Sequence, residues 1–268
     1  MIIVSQDLRD FIFNKLNIVL KNKDSILMLE DCISEHMVVD EEIIDINDKY
    51  NFRVSYLVSC PRKEFFKNKG EEPVIDAQSF ITLSFGNALH KILQGTFNYL
   101  GMLYDREELL MYEGEKYNII GHYDGIIEWE GQKSFIEIKT LSPFAFTKVL
   151  KELPIVEQNY ENLNRTMLIY RYLQQASSYI FLYQHSKNIN LENNVHWLIL
   201  VNKANVKGVP PLFTIKFSYD KNLVINLFNN ADLIYDHLKS DILPPQTDLV
   251  WECKYCGYLN CPVKKEVL

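Results

Sequence analysis

The sequence predicts an α/β fold: a mixed β-sheet with helices on its faces. Three observations carry that expectation. Residues 109–140 read as a run of strands separated by short turns. Amphipathic helical segments flank the run on both sides. With 268 residues, 47% of them hydrophobic, the chain can bury one large core. At this length roughly three quarters of the unfolded surface can be buried, so no disulfide is required.

The elements follow in order. Leu8, Phe11, Ile12, Leu16 and Val19 space as one face of a helix. Asp40–Asp48 is acidic with three isoleucines and reads as an edge strand or a solvated loop. Ser55–Lys67 reads as a short helix with Ser55 as N-cap. Ser84 is the expected cap of a helix to Tyr104, with Leu89, Leu93, Phe97 and Leu100 on its apolar face. Leu109–Tyr112, Tyr117–Trp129 and Ser134–Thr140 are three expected strands. Glu113-Gly114-Glu115 and Glu130-Gly131-Gln132 are their turns, so neighbours should be antiparallel. Asn164 is the expected cap of a helix from Arg165 to Gln184. Val195–Val201 and Leu212–Phe217 are buried strands, and Asp220 caps a last helix through Leu238. No linker or repeat divides the chain. The expected division is a 1–50 extension of no assigned function and a single domain over 51–268.

Charge and composition exclude several classes. There are 28 Lys and Arg against 35 Asp and Glu, a net −7, with 24% charged residues. Disorder throughout is excluded. No run approaches about 18 apolar residues, so no membrane span is expected. Asp7, Arg9 and Asp10 interrupt the start, where a signal peptide needs an apolar stretch, so a cytoplasmic protein is expected. An acidic chain does not coat nucleic acid by bulk charge, although a local basic groove remains open to it.

Glu137 and Lys139 alternate with Ile136 and Ile138, so the two polar side chains share one face of a strand. The preceding turn brings Asp124 alongside. Two close carboxylates repel unless a cation or a proton lies between them. Hard divalent ions such as Mg²⁺ or Mn²⁺ prefer such oxygen ligands and can activate water against a phosphate. A neighbouring lysine can orient that water or neutralise developing charge. The same Ile-Glu-Ile-Lys pattern is also that of an ordinary strand with a solvated polar face. His90 lies on the helix before the strands; Gln175 and Tyr179 share a face at i and i+4 on the later helix. Read singly, each is an ordinary structural residue.

The cysteines are Cys32, Cys60, Cys253, Cys256 and Cys261. Three lie within nine residues as C-x2-C-x4-C. In a reducing compartment such clustering favours metal ligation over disulfides. Cys60 or Cys32 can supply a fourth thiolate. Paired C-x2-C units are the usual zinc arrangement, and three local ligands with one distant ligand lean instead toward an iron–sulfur cluster. Cys32, if it is not a ligand, reads as a buried free thiol.

Together these residues resemble the RecB-like nucleases of the PD-(D/E)xK superfamily. The likeness is to the iron–sulfur branch, and especially to the CRISPR-associated exonuclease family. It rests on Ser55-x4-Cys60-x-Arg62, Gly86-x3-His90, Gly121-x2-Asp124, Glu137-x-Lys139, Gln175-x3-Tyr179 and the Cys253, Cys256, Cys261 group, in that order along residues 51–263. The resemblance implies a restriction-endonuclease-like mixed sheet, with a [4Fe–4S] cluster on Cys60, Cys253, Cys256 and Cys261 tying the N-terminal segment to the C-terminal one. It implies Mn²⁺ or Mg²⁺ held by His90, Asp124, Glu137 and the Ile138 carbonyl, with Lys139 positioning water and Gln175 and Tyr179 orienting substrate or lysine. It implies DNA as substrate, often at single-stranded ends, and CRISPR integration proteins as partners. A repair or viral setting and a non-catalytic DNA-binding adaptor are the alternatives. Arg62 and Lys63, with Lys67 and Lys69, are the candidate DNA contacts, and Phe65 and Phe66 are either base-stacking or core. The first fifty residues and Cys32 match nothing in the pattern.

Overall fold

The computed structural model describes residues 2–19, 49–106, 108–204 and 210–267. Cys32 and the acidic run Asp40–Asp48 lie outside the described residues. Strand β1 (Ile2–Ser5) and helix α1 (Asp7–Val19) come first, then β2 (Tyr50–Arg53), α2 (Val54–Leu57), α3 (Pro61–Asn68) and α4 (Ala77–Tyr99). Five strands follow: β3 (Leu103–Arg106), β4 (Leu109–Glu113), β5 (Tyr117–His122), β6 (Gly125–Trp129) and β7 (Gln132–Leu141). Then come α5 (Pro143–Gln158), α6 (Leu168–Lys187), β8 (Val195–Asn202), β9 (Leu212–Ser218), α7 (Lys221–Ser240) and α8 (Pro262–Val267). Among the described residues no helix is long and apolar enough to cross a membrane.

The strands form two sheets. The larger has the order β1-β9-β8-β7-β6-β3, and the smaller β2-β5-β4. Among the described residues only β7–β8 and β2–β5 pair in parallel. The mixed α/β expectation is therefore met, with one correction. The single strand expected over 117–129 is two strands in different sheets. Tyr123 and Asp124 form the break between them. The turn between β6 and β7 follows the sequence: Glu130 and Gly131 both have positive φ, closing a two-residue hairpin that pairs Trp129 with Gln132.

The central strands are buried on both faces. Ile136 and Ile138 of β7, with Trp197 and Ile199 of β8, pack against Leu8 and Ile12 of α1 and Leu93 and Phe97 of α4. Phe135, Leu198 and Leu200 point the other way, into a core shared with α5, α6 and α7. That period of two is what a sheet covered on both sides requires. Residues 2–19 are integral to it. β1 pairs with β9, and Leu8 is fully buried.

Several helix ends differ from expectation for local reasons. Helix α4 starts at Ala77, capped by the Asp76 carboxylate, which accepts from the Ser79 N–H at 2.6 Å; Ser84 lies inside it. It stops at Tyr99 because Gly101, at φ +65°, closes a Schellman end: the Gly101 N–H donates to Asn98 O, and the Met102 N–H donates to Phe97 O. The expected 55–67 helix is split in two, because Pro61 holds Cys60 in extended backbone. Helix α6 begins at Leu168, since the Asn164 side chain accepts from the Thr166 N–H and closes a turn of its own.

Glu64 ties α3 to β2. Its side chain is fully buried, accepting from the Arg53 N–H at 2.9 Å and from Asn68 at 3.0 Å. Burial outweighs these contacts and pushes its carboxyl up to about 7. The folded chain therefore holds this proton more tightly than the unfolded chain. Stability from this group is present at low pH and falls as pH rises from about 4.5 to about 7. In Glu64→Gln, urea-unfolding free energy should decline less across that window. An identical pH slope in wild type and variant would refute the assignment.

Candidate active site and cysteine cavity

Three elements converge on one point. β7 carries Glu137, Ile138 and Lys139; the β5–β6 break carries Asp124; α4 carries His90 and Gln94. Asp124 Oδ2 accepts from the Ile138 N–H at 2.6 Å. Its other oxygen lies 3.1 Å from His90 Nδ1. An ionised carboxylate can only accept, so the imidazole donates from Nδ1. Gln94 Nε2 donates to the Asp124 carbonyl at 2.7 Å, fixing the break itself. Lys139 Nζ lies 2.6 Å from Glu137 Oε1 and 5.8 Å from the centre of the Tyr172 ring.

The electrostatics follow from burial. Desolvation would raise Asp124, but His90, Lys139 and the Ile138 N–H outweigh it and hold the carboxyl below its ordinary value. Burial would lower His90, yet the Asp124 carboxylate raises it. Glu137 is 2% exposed. Burial and the Asp124 charge push it up against the pull of Lys139. Its Oε2 is buried with no hydrogen-bond partner among the described residues. An uncompensated buried carboxylate oxygen is costly, and a hard cation is one group that satisfies it. The donor set therefore fits a divalent ion. Among the described residues no three His, Cys, Asp or Glu side chains are drawn together as a ready-made metal group. His90 is turned onto Asp124, and Glu137 onto Lys139.

Gln175 and Tyr179 stand one turn apart on α6, with Gln175 Nε2 donating to Tyr179 Oη at 3.1 Å. The Tyr179 ring rests directly on Gly121, where an added Cβ would come within 2.5 Å of Cε1. This close approach seats α6 on β5, three residues before Asp124. Tyr172, beneath Lys139, and Gln94 were not singled out from sequence. Gln94 is four residues after His90, so helical spacing points to it.

The four expected cysteines line one cavity of about 370 Å³, part of it open to solvent. Cys60 stands at the N-cap of α3. Cys253 lies in a 3₁₀ turn over Val250–Tyr255, and Cys261 immediately precedes α8. Burial raises the Cys60 and Cys253 thiols, and at Cys253 the neighbouring cysteines add to it. Arg62 points inward: its Nε donates to Pro244 O at 2.8 Å and its Nη1 to Cys261 Sγ at 3.6 Å. Lys63 lines the same cavity. Lys67 covers the Tyr56 ring, and Lys69 pairs with Asp241. Phe65 and Phe66 are buried in the core, so neither offers a face to a base.

In overall sequence the chain is similar to a Cas4 nuclease. The chain is 22% identical over 232 residues to the CRISPR-associated exonuclease Cas4 of Saccharolobus solfataricus (strain P2), covering 84% of this chain and 94% of that protein. The crystal structure of SSO0001 aligns with a TM-score of 0.53 at 19% identity, over 91% of this chain and 98% of that one, and so shares the fold. No protein-family model matches the chain.

The Gly121–Tyr179 contact makes a direct prediction. Gly121→Ala should destabilise the chain by about 1–3 kcal/mol through overpacking. Adding Tyr179→Ala should recover part of that loss, making the double mutant less unstable than the sum of the singles in urea denaturation. Strict additivity would show that the two positions do not touch.

Proposed function

We propose that this chain is a metal-dependent DNA nuclease, acting chiefly as an exonuclease on single-stranded ends, with a structural [4Fe–4S] cluster. The observation that carries the reading is the buried Glu137, one oxygen paired to Lys139 and the other unpartnered among the described residues, with Asp124 in the break beside it. His90, Asp124, Glu137 and the Ile138 carbonyl would hold Mn²⁺ or Mg²⁺. When bound, such an ion supplies Lewis acidity toward the phosphodiester and lowers the pKa of water.

The chain's own residues do the rest. Lys139 orients the attacking water and offsets negative charge as it develops on the phosphate. Its ammonium is held between Glu137 and the Tyr172 ring, so it meets the substrate in one position. His90 and the Ile138 N–H keep Asp124 ionised and aligned. Gln175 and Tyr179 support the strand that ends at Asp124 and orient the substrate.

Bulk charge does not oppose this reading. Residues 20–48 contain nine Asp and Glu against two Lys, a balance of −7 that equals the whole chain's. The remainder is neutral, so a polyanion meets no net repulsion there.

The four thiols around one cavity support the cluster. Cys60 comes from the N-terminal half and the other three from the C-terminal tail, so a cluster would staple the two. The Cas4 likeness favours a role in trimming DNA for CRISPR adaptation beside integration proteins in the cytoplasm.

Two measurements test the reading. With Mn²⁺ and end-labelled DNA, Lys139→Ala should lose activity by a factor on the order of 10² or more while keeping its circular dichroism. Undiminished cleavage would remove the catalytic assignment. Purified without oxygen, the protein should be brown, with broad absorbance near roughly 400 nm that Cys60→Ser abolishes. Colourless, iron-free protein would remove the cluster.

A further inference from the structure

Three aromatic rings run across the surface beside the catalytic strand. Phe144 opens α5, five residues after Lys139, so the chain alone keeps its Cα within roughly 17 Å of the lysine's. Its ring meets Trp251 edge to face at 5.9 Å, and Trp251 meets Tyr255 likewise at 6.5 Å. Phe144 is 65% exposed and Tyr255 77%. Single exposed rings are ordinary, but three in contact make a patch rather than a scatter.

The patch is cationic and rigid. Lys148 lies 5.8 Å from the Trp251 ring centre. Lys151 and Lys254 are exposed on the same two segments. The carboxylate between the rings in sequence, Glu252, is taken up by Arg171 at 2.6 Å, and Arg171 also donates to Thr247. Arg171 directly precedes Tyr172, the residue beneath Lys139. The ladder and the catalytic lysine are thus fixed to the same turn of α6. Asp248 is the nearest exposed acid in sequence.

We infer that Phe144, Trp251 and Tyr255 form a stacking platform that seats the bases of single-stranded DNA, with Lys148 and Lys254 on the backbone, and feeds the strand to Lys139. Exposed rings flanked by ammonium groups are the chemistry that binds unpaired nucleotides without reading their sequence. Duplex bases are already stacked, so they gain little from such rings. The platform therefore selects single strands. The inference rests on the nuclease reading, but it makes a claim about binding alone.

The test uses the full chain in EDTA with a short oligothymidylate. Binding should quench tryptophan fluorescence, because Trp251 lies in the ladder, whereas Trp197 is wholly buried and Trp129 packs against the core beneath α1 and α4. Phe144→Ala and Tyr255→Ala should each weaken binding roughly ten-fold, with duplex affinity changed less. Phe144→Trp and Tyr255→Phe should keep it. Both side chains are exposed, so melting temperatures should match wild type. Unchanged single-strand affinity in both alanine variants overturns the platform, even if the enzyme still cleaves. Unchanged oligonucleotide binding combined with lost self-association in sedimentation assigns the rings to a second copy of the chain and equally overturns it. Binding that depends on the rings, in a protein that cleaves nothing with Mn²⁺, keeps the platform and sinks the nuclease.

Discussion

Two carboxylates drawn from water side by side are tolerable only with positive charge or a proton beside them. Asp124 and Glu137 meet that condition differently. Asp124 is held by His90 and a backbone N–H, and stays ionised. Glu137 has Lys139 on one oxygen and, among the described residues, no partner on the other. The two differ in environment rather than in chemistry, and that asymmetry leaves one unsatisfied acceptor at the heart of the sheet. The surroundings are arranged around it: α4 supplies the imidazole, α6 supplies Tyr172, and the sheet buries the rest.

The division into two sheets serves the same end. Were 117–129 one strand, Asp124 would be a rung of the ladder, with its side chain on one face. The break at Tyr123 and Asp124 frees the carboxylate to reach across to the Ile138 N–H. Gly125 ends the break, at φ +157° and with Leu103 Cδ1 3.1 Å from where a Cβ would stand; Gly121, still within β5, lets the Tyr179 ring rest on the strand just before it.

Much of the site was legible because it is local. Glu137 and Lys139 share a face by strand alternation, the Glu130-Gly131 turn is short, and Asp220 marks a helix start by its own chemistry. What escaped was distant. Tyr172 lies beneath a lysine 33 positions earlier. Arg62, read as a DNA contact, turns inward to Pro244 and Cys261 because a buried backbone carbonyl near the tail needs a donor. Phe65 and Phe66, open to either reading in sequence, are core because α3 presses that face against the tail, where Phe66 stacks on Tyr258 at 5.6 Å.

By itself the sequence determined the α/β class, strands β4, β7, β8 and β9 with helices α1, α4, α6 and α7, the acidic pair with its lysine, and the set of cysteines that could act together, though not β1, β2, β3 or α5. These follow from periodicity, turn chemistry and residue type, which act over a few positions. The tertiary structure alone decided that Asp124 stands in a gap between two sheets, that one oxygen of Glu137 goes unpaired, and that Cys60 shares a cavity with the tail. Such facts depend on burial and on side chains brought together from far along the chain, and no local rule carries them.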